Sequence, residues 1–105
     1  MLPLKSPDAC TSLNDIRAGI DHHDRQIFEA LEKRLRYVKA ATQFKTNEQV
    51  IPAPERVAAM LEQRLAWAAD AGFDPAFIKT LYEHIIHWNI QQQILHWRSL
   101  HPAQS

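Results

Sequence analysis

The chain has 105 residues, 46% of them hydrophobic, with twelve basic and twelve acidic side chains and a formal net charge of zero. That length fits one domain spanning 1–105, the hydrophobic share excludes a disordered tail, and the balanced charge lacks the basic surplus that a nucleic-acid partner requires. Cys10 is the only cysteine, so an internal disulfide is excluded; no run approaches the ~20 apolar residues of a membrane helix, and Met-Leu-Pro-Leu-Lys lacks a signal-peptide core, so a cytoplasmic protein without membrane contact is expected.

Only Gly19 and Gly72 are glycines, and the prolines gather at Pro3 and Pro7, Pro52 and Pro54, Pro75 and Pro102. Long stretches without a breaker lie between them, so the reading is all-α: three helices and no sheet. The first helix should begin near Ser12 or Asn14, with Thr11, Ser12 and Asn14 as candidate N-caps, and run to about Lys45. Leu13, Ile16, Ile20, Ile27, Leu31, Leu35 and Val38 recur at spacings of three, four or seven, which is the helical period, and His23 fills the one gap. Such a helix is roughly 50 Å long, too long for so short a chain to cover, so it should pack on a second copy.

Thr46 to Ala53 reads as a loop. A second helix is expected from Pro54 to Ala71, with Val57, Met60, Leu61, Leu65 and Ala68 on its buried face and Gly72 as its stop. Asp74-Pro75 opens a third helix as cap and first residue, running to about Leu100. Phe77, Ile78, Leu81, Ile85, Trp88 and Ile94 supply most of its apolar stripe, and Pro102 ends it.

Arg34, Val38, Ala41 and Lys45 are spaced four, three and four, one stripe of a helix with a cation at each end and small apolar groups between. Arginine offers a planar fork for a carboxylate and lysine a mobile point charge, so the stripe suits a small dianion. Arg17 stands ~25 Å from Arg34 along a straight helix and about 100° around it. The two reach one small molecule only if a second copy runs antiparallel, which a two-fold axis provides. Gln93 follows Asn89 by four; its neutral amide could donate to an ether or enolate oxygen, or simply face solvent beside Gln91 and Gln92. Taken singly, arginines and lysines on a helix are most often solvated surface. His84 and His87 stand at i, i+3 and His22 adjoins His23, but no clear third ligand accompanies them, so no metal is expected. Trp67, Trp88 and Trp97 read as packing anchors.

The block Ile51-Pro52-Ala53-Pro54-Glu55-Arg56-Val57-Ala58-Ala59-Met60-Leu61 resembles the second-helix entry of bacterial isochorismate-pyruvate lyases of siderophore pathways, members of the all-helical chorismate mutase superfamily. The resemblance extends to Asp15-Ile16-Arg17, Tyr37-Val38-Lys39-Ala40-Ala41, Phe44-Lys45, Ile85-Ile86-His87-Trp88, Gln93, Trp97 and Arg98, and so covers nearly the whole chain. It implies an intertwined homodimer with a long first helix and two equivalent sites. It matches Arg34, Lys45 and Gln93 to substrate-binding and catalytic positions of one chain, Arg17 to the arginine from its partner, and Val38, Ala41, Met60 and Ile90 to the pocket lining. Asn89 departs from it, since a tyrosine is expected there. Glu55 could be catalytic in relatives that rearrange chorismate, but it also suits a helix N-terminus electrostatically.

The implied reaction is elimination of pyruvate from isochorismate to leave salicylate, by a concerted hydrogen shift that needs no cofactor. In that scheme Arg34 and the partner's Arg17 orient the substrate, Lys45 stabilises charge growing on the ether oxygen, and Gln93 donates a neutral hydrogen bond. The segment Thr46–Val50 should close over the substrate and order Lys45. Two other readings stay open: a chorismate mutase forming prephenate, and a non-catalytic helical dimerisation module.

Overall fold

The computed structural model describes residues 4–51 and 53–102. The all-helical expectation holds: three α-helices carry the chain, α1 (Leu13–Ala40), α2 (Pro54–Ala71) and α3 (Pro75–Leu100), and no strand occurs among the described residues. Among the described residues, 3-10 turns accompany them at Pro7–Ala9, Ala41–Phe44 and Glu48–Val50. By compactness the chain divides into two units, Met1–Arg34 and Leu35–Ser105.

In the first unit, of the three candidate caps it is Ser12 that starts α1. Its hydroxyl accepts from the Asp15 N–H at 3.1 Å, and its carbonyl takes the Ile16 N–H. Asp15 reaches back, accepting from the Thr11 N–H at 3.0 Å, the Thr11 hydroxyl at 3.1 Å and the Lys5 ammonium at 2.9 Å. The Thr11 amide foremost, then Lys5, hold its carboxyl down at about 2 from an ordinary 3.8. No described residue of α1 is buried. Leu13, Ile16, Ile20, Ile27, Phe28 and Leu31, most of them the periodic row of the sequence, all stand exposed, Ile27 and Phe28 at 58%. A groove of about 570 Å³ lies between Lys5–Cys10 and the first turns of α1, lined by Ile16, Gly19, Ile20 and His23 among others. None of the side chains singled out by the sequence as site residues lines it.

In the second unit the α-helical backbone ends at Ala40 and tightens into the Ala41–Phe44 turn, so the expected run to Lys45 is corrected by five residues. Thr42 shows why. Its hydroxyl donates to the Lys39 carbonyl at 2.6 Å, capturing an acceptor at the helix end, and the residue is almost wholly buried. The expected loop likewise holds the Glu48–Val50 turn, and Ile51, only 3% exposed, plugs it. Pro52 and Pro3 lie outside the described residues.

α2 begins with Pro54 in its first turn and ends where the sequence placed its stop. Gly72 takes φ 66°, ψ 27°, the left-handed region open to glycine without strain. There the Phe73 N–H bonds back to the Ala68 carbonyl at 2.8 Å and the Gly72 N–H to Ala69 at 3.2 Å. Asp74 caps α3, its carboxylate accepting from the Ala76 N–H at 2.9 Å, with Pro75 next. α2 packs on α3, and the Ala41–Phe44 and Glu48–Val50 turns lie against α3 as well. Arg64 of α2 adds a polar link, its guanidinium over the Trp67 ring at 4.6 Å and the Tyr82 ring of α3 at 5.7 Å.

The face that α3 buries is not the stripe expected from its sequence. Ile86, Asn89, Gln93 and Trp97 are buried, whereas Phe77, Leu81 and Trp88 are exposed. At ~100° per residue, Trp88 projects about 180° from Trp97, so the two faces are opposite. The periodicity located a real apolar stripe, but the chain spends its own packing on the other side. Only Trp97 of the three tryptophans is a buried anchor within the chain; Trp67 and Trp88 are half exposed.

Candidate active site

Gln93 sits on the buried face of α3, at 7% exposure, which decides between the two sequence readings in favour of an inward position. Its amide makes no hydrogen bond among the described residues. Asn89 lies one turn earlier on the same face, also buried and engaged in an interaction of its own. Ile90, half-buried, stands three residues before Gln93, hence beside it on the helix surface.

Lys45 follows the Ala41–Phe44 turn with extended backbone, φ −100°, ψ 121°, and its N–H donates to the Thr42 carbonyl at 3.1 Å. The angular argument that joined Lys45 to a helical stripe therefore fails beyond Ala41, because the backbone has left the 3.6-residue period. Another contact sets its place. The Trp97 indole Nε1–H donates to the Lys45 carbonyl at 3.1 Å, across 52 residues of sequence. Trp97 is one turn after Gln93, so the Lys45 backbone is docked about one helical pitch, ~5.4 Å along the axis, from Gln93. The Lys45 side chain is half-buried and makes no ion pair among the described residues. Val38 and Ala41, on the approach to that turn, and Met60, on α2, are half-buried too.

Three residues beyond Lys45, Glu48 pairs with Arg98 of α3. The hydrogen bond from Arg98, then its charge, holds the Glu48 carboxyl below its ordinary value, and Glu48 in turn raises Arg98.

The other two cations belong to the first unit. Arg17, in the second turn of α1, is exposed and makes no ion pair among the described residues. Arg34 is half-buried and engaged in an interaction. The second unit thus brings together Lys45, Gln93 and the α3 face of Asn89 and Ile90, while Arg17 and Arg34 fall in the other. Sequence reasoning missed the roles of Thr42, Glu48 and the Trp97 indole N–H. A fifty-residue separation leaves no periodic signal that could have found these contacts.

Among the described residues no three His, Cys, Asp or Glu side chains gather as a metal site would require. No described helix is long and apolar enough to cross a membrane.

The chain is thus all-helical among its described residues and docks the Lys45 backbone against the face of its last helix that carries Gln93. Residues 16–94 match the family described as Chorismate mutase type II, and the chain belongs to that family. Within it, the chain is 51% identical over 100 residues to the isochorismate pyruvate lyase of Pseudomonas aeruginosa, covering 95% of this chain and 99% of that protein. It is 36% identical over 86 residues to the 4-amino-4-deoxychorismate mutase of Streptomyces pristinaespiralis, covering 80% of this chain and 67% of that protein. The resemblance drawn from the Ile51–Leu61 block agrees with these likenesses.

Proposed function

We propose that the chain is an isochorismate pyruvate lyase, cleaving isochorismate to salicylate and pyruvate, with a weak chorismate mutase activity at the same site. The observation that carries this reading is the 51% identity along almost the full length of both chains. Gln93, on the buried face of α3, and Lys45, its backbone docked to Trp97, supply the polar groups such a reaction uses.

In the proposed step a ring hydrogen moves to the methylene carbon of the enolpyruvyl arm while the ether C–O bond breaks. The arm leaves as pyruvate and the ring becomes aromatic, so atoms balance without a nucleophile or co-reactant. Lys45 stabilises the charge that gathers on the departing oxygen, and Gln93 donates to the same region without adding charge. Arg34 and Arg17 bind the carboxylates and fold the flexible substrate into its reactive shape. Val38, Ala41, Met60 and Ile90 form the apolar lining, with Asn89 shaping the pocket where relatives are expected to carry an aromatic ring.

Arg17 enters from a second copy. Support comes from the apolar row of α1 and the Phe77, Leu81 and Trp88 side of α3, all exposed in the single chain. Exposed apolar surface of that extent on two helices is what a homodimer covers. The chain then forms one domain of 1–105 within an intertwined pair, working in the cytoplasm on a supply of isochorismate for salicylate and siderophore synthesis.

The test is direct. Purified protein is given isochorismate and followed by salicylate fluorescence, then given chorismate and followed for prephenate. Salicylate should form faster by a wide margin. Prephenate as the dominant product would make it a mutase, and silence towards both would leave only a dimerisation module.

A further inference from the structure

Lys45 carries its charge at the end of a four-carbon stem with several free rotations, so its aim depends on how its backbone is held. Two adjacent residues of α3 do the holding. Trp97 donates to the Lys45 carbonyl at 3.1 Å, and Arg98 pairs with Glu48 three residues further along the segment. Trp97 is itself fixed: it is 2% exposed, its ring stacks on that of His101 at 4.1 Å and 15°, and the His101 Nδ1–H donates to the Trp97 carbonyl at 2.9 Å. Thr42, bonded to the Lys39 carbonyl, pins the near side of the turn. The segment from Lys45 to Glu48 is thus clasped at both ends to one turn of α3, next to the turn that bears Gln93.

We infer that Trp97 and the Glu48–Arg98 pair are positioning residues for Lys45, fixing the register from which its ammonium meets the substrate. The inference rests on the reading of Lys45 above and goes beyond it by naming what aims the lysine. Neither Trp97 nor the ion pair needs to touch the substrate. A misplacement of ~1 Å at a catalytic group can lower turnover about 100-fold, so a loosened carbonyl matters more than its single hydrogen bond suggests. The ion pair is half exposed and adds little to global stability, which makes a local role the more informative one to test.

Three variants separate positioning from structure. Trp97→Phe keeps most of the ring and removes the donor. Glu48→Gln keeps the shape and removes the charge. Glu48→Arg with Arg98→Glu reverses the pair. Each is made in the native protein and in Lys45→Ala, and kcat and KM for isochorismate are measured. Trp97→Phe should lower kcat about 10-fold with KM changed less than about twofold, the mark of a misaimed group. Glu48→Gln should lower it about threefold, in keeping with an exposed pair, and the reversed pair should regain that loss. In the Lys45→Ala background none should lower turnover further, because the group they aim is gone. Equal losses in both backgrounds, or no loss in either, overturn the inference while leaving Lys45 in place. Full activity of Lys45→Ala alone overturns the reading of Lys45 and this inference with it. If Trp97→Phe does not fold, Glu48→Gln and the reversed pair decide by the same criterion.

Discussion

Replacing Gln93 by leucine should lower activity while leaving stability nearly unchanged. Leucine is close to glutamine in size and removes the amide of a residue that is 7% exposed and makes no hydrogen bond among the described residues. Exchanging it for an apolar side chain of like shape, with no protein hydrogen bond lost, should be neutral to within about 1 kcal/mol. With an unfolding entropy near 2.1 cal/mol/K per residue, that bound keeps any shift in Tm within roughly 4 °C in a chain of this length. The same change removes a donor to an oxygen that gains charge in the transition state, an interaction of about 1.5–3 kcal/mol, or roughly 10- to 100-fold in kcat. Thermal melts and salicylate fluorescence on one preparation read both effects. A lower Tm with turnover intact would show that Gln93 serves the fold, and the argument from its burial would be refuted.

Lys45→Ala should cut kcat by about 100-fold or more while Tm moves little, because a half-buried side chain at the end of a turn carries charge stabilisation in the reaction rather than packing. Asp15 gives a pH signature: its folded-state value of about 2 lies below its ordinary 3.8, so its stabilisation is complete above pH 4 and fades as pH falls towards 2. Melts across that window should steepen in the native protein relative to Asp15→Asn, and identical profiles would contradict the cap. Gly72→Ala meets no neighbouring atom, yet it places a Cβ at φ 66°; a loss of about 1 kcal/mol, roughly 4 °C in Tm, should follow from backbone strain alone.

Most of the fold was legible in the sequence, because its signals are local. Ser12, Pro54, Gly72 and Asp74-Pro75 mark helix ends by chemistry that acts within a turn, and each stands where the reading put it. The end of α1 was not, since Thr42 competes with the ladder through a side-chain bond that periodicity does not register. The face of α3 was misjudged for a different reason. Its apolar stripe and its buried face are distinct, and the inward face carries Asn89 and Gln93, which hydrophobic patterning discounts. The angular argument for Lys45 failed once the backbone left the α-helix, and the anchor of its carbonyl, Trp97, lies 52 residues away.

Mixing two dead variants tests the shared site most directly. Arg17→Ala and Arg34→Ala are each expected to be inactive, but a mixed dimer holds one site with both arginines intact. Random exchange makes half the dimers mixed, so activity should recover to about one quarter of the native value. Absence of recovery after subunit exchange has been demonstrated would contradict a site built from two chains.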